Sequence, residues 1–149
     1  MKTEILLPLV VLVGAFSFSG IANAQQSGTA TEAKALLGKA VAAVKADQTA
    51  ALAKFDDPTG GFKDRDLYVF CGDLKTGKSL NGPLKGTDLK AAKDPTGKAF
   101  GQEMLDKAKD GVVTTVEYMF PKPGTTTPAA KEAFIEGIGT IYCGVGYYK

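Results

Sequence analysis

The chain has 149 residues, 44% of them hydrophobic, with 18 Lys+Arg against 16 Asp+Glu, two cysteines and no histidine. A formal charge of +2, spread along the chain with no basic block interleaved with aromatics, argues against nucleic acid or an anionic membrane as partner. The missing histidine removes the commonest general base and zinc ligand together, so the composition points to no metal, no cofactor and no enzyme.

The opening "MKTEILLPLVVLVGAFSFSGIANAQQ" has a positive Lys2, an apolar run from Ile5 to Phe18, and the small-x-small site "ANA" before Gln25. The run is shorter than the ~20 residues that a membrane span needs, so cleavage near Ala24 is preferred to a retained anchor. The expectation is a signal peptide over residues 1–24 and a single domain over 25–149, periplasmic or secreted, with no transmembrane anchor after processing. In such a compartment Cys71 and Cys143 read as one disulfide, against the alternative of two separate buried thiols.

From Thr31 to Lys54 the spacing of Leu37, Val41, Val44, Ala51, Leu52 and Phe55 predicts one long helix, stopped by "DDPTGG". "DLYVFC" alternates as a strand, with Leu67, Val69 and Cys71 on one face and Tyr68 and Phe70 on the other. "CGDLKTGKSLNG" has the spacing of a phosphate-binding loop. It lacks the helix that must follow, because "LNGPLKG" puts two glycines and a proline there. The stretch reads instead as a hairpin over 67–81, its returning strand beginning at Lys78-Ser79. Residues 82–96 are irregular. Phe100 to Lys109 is a short helix with Phe100, Met104, Leu105 and Ala108 inward. Strands follow in "VVTTVEYMF", in "KEAFIEGIG" and in "TIYCGVGYYK", where Ile141, Cys143, Val145 and Tyr147 share a face. The order predicts an α+β fold with an antiparallel sheet.

In this order and spacing, "ALAKFDD", "GFKDRDLYVFCGD", "PLKGTDLKAAKDPTGKAF", "VEYMFPKP", "AAKEAFIEGI" and "YCGVGYY" resemble a single Cache domain. That family is the PAS-like extracytoplasmic sensor module of bacterial receptors, and the likeness is to its second single-Cache subfamily. The resemblance implies a long N-terminal helix packed on a five- or six-stranded antiparallel PAS-like sheet. A ligand pocket would lie on the other face, roofed by residues 82–96 and the short helix. It also implies neighbouring first and last core strands, with Cys71 opposite Cys143. Family members bind small carboxylates such as acetate, pyruvate, lactate or propionate.

Carried onto this chain, the resemblance names candidate ligand contacts. Lys131 matches the lysine that opens a strand, the competing reading being a solvated strand-end lysine. Tyr118 matches a pocket tyrosine, against an ordinary core aromatic. Tyr68 and Phe70 would form a wall or simply pack. Asp94 matches an aspartate before the turn glycine, a residue that also serves its own Asx turn. Asn81 stands where the family often has histidine, and Phe120 where it often has tryptophan. Family members usually continue into a transmembrane helix and a signalling domain, whereas this sequence stops at Lys149, so a membrane receptor or another periplasmic protein is the expected partner. No nucleophile has a histidine partner and no carboxylate pair is selected by spacing, so no catalytic residue is named. Two functions follow: an exported, soluble small-organic-acid sensor in signal transduction, or a structural or interaction scaffold that has kept the fold without the ligand.

Overall fold

The structure is a computed structural model and describes residues 27–149; the expected signal peptide lies outside the described residues. Helix α1 spans Ala30–Ala46 and α2 spans Gln48–Asp56. Strands β1 (Lys63–Asp64) and β2 (Leu67–Asp73) follow, then a 3-10 turn at Leu89–Ala91 and helix α3 (Phe100–Lys107). Strands β3 (Val113–Pro121), β4 (Pro128–Ile138) and β5 (Ile141–Tyr148) complete the domain. The five strands form one antiparallel sheet in the order β1-β2-β5-β4-β3. Among the described residues no helix is long and apolar enough to cross a membrane.

Helix α1 starts one residue earlier than Thr31, after a capping box in which the Thr29 side chain accepts from the Glu32 N–H and Glu32 reaches back. Its buried face, Ala33, Leu37, Ala40, Val41 and Val44, repeats every three to four residues and lies on the sheet. The single helix expected over 31–54 is two helices. Asp47 takes an extended backbone (φ −161°, ψ 103°), donates its N–H to Ala43 and accepts from the Ala50 N–H. It closes one helix and caps the next, because a short carboxylate offers the backbone a local partner that the ladder does not.

One sheet face packs under the helices through Leu67, Val69, Cys71, Ile141, Cys143 and Val145. Cys71 stands opposite Cys143 in the β2–β5 register, and the two are joined as a disulfide. The other face carries Tyr118, Val116, Ala133, Ile135 and Tyr142, covered by Leu89, Phe100 and Met104. The returning strand expected at 78–81 is reduced to two bridges, Gly72 with Ser79 and Lys78 with Asp88. After Leu80 donates its N–H to Cys71 O, the chain peels away, and the Asn81 side chain takes the next ladder position by donating Nδ2 to Val69 O at 2.9 Å.

Candidate functional site

Strand β4 begins at Pro128, three residues before the expected opening at Lys131. Lys131 therefore sits inside the ladder, opposite Tyr118 of β3 and Tyr148 of β5. It shares a face with Ala133 and Ile135, and it is 1% exposed. Room for its stem comes from β5: a Cβ on Gly146 would lie 2.3 Å from Lys131 Cε, and one on Gly144 would lie 2.6 Å from the Phe70 ring. The two glycines of "YCGVGYY" thus let side chains from both flanking strands lie flat on the central strand.

Crossing Gly146, the Lys131 ammonium donates to Tyr68 Oη at 2.7 Å. Four rings surround it, with centroids at 4.2 Å (Tyr68), 5.0 Å (Tyr148), 5.2 Å (Phe120) and 6.0 Å (Tyr118). Among the described residues it makes no salt bridge. The ring faces attract a cation but supply no counter-charge. Burial pulls its pKa from 10.5 down to about 7, partly opposed by the Asp66 carboxylate. The tyrosines respond in the opposite direction: burial raises Tyr68, Tyr118 and Tyr148, so they hold their protons at neutral pH.

In front of this cage lies a cavity of about 20 Å³, room for about one water-sized group. Tyr68, Phe70, Tyr118 and Tyr142 line it from the sheet, Asn81 and Ser79 from its side, and Leu84, Leu89, Phe100 and Met104 from the roof. Phe100 stacks on Tyr118 at 4.6 Å, which closes the roof onto the sheet. Five of the six expected ligand residues converge here: Tyr68, Phe70, Asn81 and Tyr118 on the cavity, with Lys131 behind the Tyr68 hydroxyl.

Asp94 does not join them. It borders a separate groove outside the roof, and its two oxygens are already engaged. Oδ1 accepts from the Thr96 N–H, the Thr96 hydroxyl and the Lys98 N–H, while Oδ2 accepts from the Met119 N–H of β3 at 2.9 Å. It is a latch that fastens the roof loop to the sheet. The Thr96 hydroxyl and the Met119 N–H hold its pKa down at about 2. A depressed carboxylate stabilises the folded state above its ordinary value of 3.8 and loses that effect as pH falls towards 2. We expect Asp94→Ala to speed hydrogen exchange of the Met119 amide about tenfold or more while leaving the Ile135 amide unchanged. Equal protection of Met119 in both proteins would remove the latch.

Tyr142 and Tyr148 are not among the ligand candidates of the sequence, although the alternation of β5 contains the signal. With Cys143 and Val145 on the helix face, Tyr142, Gly144, Gly146 and Tyr148 must face the cavity side.

A small, mostly apolar cavity thus lies beside a buried amine, on the sheet face opposite α1 and α2 and under α3. The family model for the Cache domain matches residues 45–148. The chain belongs to the Cache family. The single-Cache subfamily is not fixed by this, since the matching model is dCache_2. Over 76 residues the chain is 36% identical to the methyl-accepting chemotaxis protein McpP of Pseudomonas putida KT2440, a match covering 49% of this chain and 14% of that protein. Among solved structures, a periplasmic sensor domain of a chemotaxis protein is 26% identical with a TM-score of 0.61, covering 79% of this chain and 88% of that one. A methyl-accepting chemotaxis protein from Vibrio parahaemolyticus shares the fold at TM-score 0.65 and 22% identity, covering 79% and 86%. A Cache chemosensory domain described as the structural basis for carboxylic acid recognition is 25% identical at TM-score 0.57, again over 79% and 86%. These relatives are described as chemotaxis proteins or as the sensor domain of one.

Proposed function

We propose that this Cache domain binds a small organic carboxylate of the acetate, pyruvate or lactate class and acts as an extracytoplasmic ligand sensor in signal transduction. One observation carries the reading: Lys131 is a fully buried amine among aromatic rings and, among the described residues, makes no salt bridge. Burying a cation costs several kcal/mol unless it is paired, so the chain keeps Lys131 at a loss that an incoming carboxylate would recover. The apolar roof suits the short tail of such an acid. Support also comes from the carboxylic acid recognition described for a Cache domain of similar structure.

The cavity must widen to take even a two-carbon acid, and in this reading it is the roof of residues 82–99 with α3 that shifts, since the floor is the sheet itself. In this reading the chain is exported, its first 24 residues are removed, and it presents its bound state to a membrane receptor or another periplasmic protein. The tight cavity favours one competing reading, a Cache scaffold that serves in structure or interaction without a ligand. Thermal-shift screening of the domain against formate, acetate, propionate, lactate and pyruvate separates the two. A ligand present at 100 times its Kd stabilises the folded state by about 2.7 kcal/mol, so at least one acid should raise the Tm by several degrees. No shift with any of them, at millimolar concentration, would leave the scaffold reading.

A further inference from the structure

Asn81 is 1% exposed and lines the cavity, yet one of its polar atoms has no partner. Its Nδ2 donates to Val69 O at 2.9 Å, which fixes the amide's orientation, because the reverse would set two oxygens against each other. The other arm, Oδ1, is buried and accepts no hydrogen bond among the described residues. Ser79, the nearest hydroxyl on the same segment, is committed to the Asn81 carbonyl at 3.2 Å and does not serve it. A buried acceptor left unpaired is costly, so a group bearing a donor is favoured at this place.

The acceptor and the cation hang from one dipeptide of β2. Tyr68 holds Lys131 through its hydroxyl, and Val69 holds Asn81 through its carbonyl. Tyr68 and Asn81 both line the one small cavity, so a ligand whose carboxylate reaches the Tyr68 and Lys131 end has Asn81 on the wall of the same enclosure.

We propose that the site selects a short 2-hydroxy acid, its carboxylate drawn to Lys131 and its hydroxyl donating to Asn81 Oδ1; this rests on the carboxylate reading above. An amine at that carbon would also donate, but as an ammonium it would be repelled by the Lys131 cation, so a hydroxyl is the fitting donor. A keto group offers only lone pairs to the Asn81 oxygen and is disfavoured. A methylene leaves the oxygen unpaired and is rejected by the same cost.

Calorimetric titration of the unaltered domain with lactate, propionate and pyruvate tests this without any variant. The three acids share chain length and charge and differ only at the second carbon. Lactate is expected to bind at least about tenfold tighter than either of the others. Asn81→Leu, which removes the acceptor at similar volume, should bring the lactate-to-propionate ratio close to one. Equal affinities in the parent, or pyruvate the tightest, would overturn the hydroxy-acid assignment while leaving the carboxylate site standing. A variant that still prefers lactate would show that Asn81 is not the selecting group. Binding of none of the three, nor of acetate, would overturn the underlying carboxylate reading as well.

Discussion

Replacing Lys131 with methionine is expected to weaken carboxylate binding roughly ten- to a hundredfold and, at pH 6, to raise the melting temperature. The loss of affinity follows from removing a charge-assisted hydrogen bond, worth about 1.5–3 kcal/mol. The gain in stability follows from burial. Lys131 is 1% exposed, and methionine fills much of the same stem volume without a cation to desolvate.

The pH dependence has a definite sign. The folded-state pKa is depressed to about 7 from 10.5, so the buried site favours the neutral amine. Below pH 7 the lysine is protonated in both states and the cost of burying the cation is complete. Between about 7 and 10.5 the unfolded chain holds more of the proton, and stability recovers by about 1.4 kcal/mol per pH unit. The advantage of Lys131→Met should therefore be largest at or below pH 7 and shrink steadily towards pH 9. Tyr68, Tyr118 and Tyr148 do not blur this window, since burial raises all three. A variant that melts lower than the parent at pH 6 would mean that the aromatic cage repays the cation in full.

The disulfide should carry a large single contribution to stability. It joins residues 72 apart in sequence, and the chain-entropy relation gives about 4 kcal/mol for a loop of that length. Cys71 and Cys143 are 1% and 0% exposed, in the helix-side core, so their replacement also disturbs packing unless the substitute is small and apolar. The double variant Cys71→Ala/Cys143→Ala is expected to melt on the order of 15 °C lower than the parent by scanning calorimetry. Its sheet should survive, because the β2–β5 ladder runs from Val69 to Asp73 on its own backbone hydrogen bonds. A change of only one or two degrees would show that the ladder already holds the two strands together in the unfolded ensemble.

Much of this architecture was legible because alternation and periodicity are local. The faces of β2 and β5, the inward side of α3 and the turn chemistry of "DPTG" can each be read within a ten-residue window. The misreadings occur where a distant partner decides. Asp47 looks like any exposed helix residue until its side chain bonds forward to Ala50 and its N–H back to Ala43. Lys131 looked like a strand opener because the three residues before it, "PAA", carry no β-branched signal. Pairing of Pro128 to Pro121 and Ala129 to Phe120 extends the strand nonetheless. Asp94 resembled a ligand residue, and only the fold shows its second oxygen spent on Met119, 25 positions away. The role of Asn81 was half visible. Its polarity marked it, but the bond to Val69 that sets its orientation exists only once the hairpin has closed.

The central claim is that a carboxylate binds at Lys131 and favours its charged form, which burial in the empty site opposes. The most direct test is isothermal titration at pH 8, in two buffers of different ionisation enthalpy, with the acid of the panel that raises the melting temperature most. With a folded-state pKa of about 7, most of the Lys131 population is neutral at pH 8, so binding should take up close to one proton per ligand. The apparent enthalpy should then differ between the buffers by nearly their full difference in ionisation enthalpy. Binding with the same enthalpy in both buffers would mean that no proton moves, which would contradict a carboxylate that binds by charging Lys131.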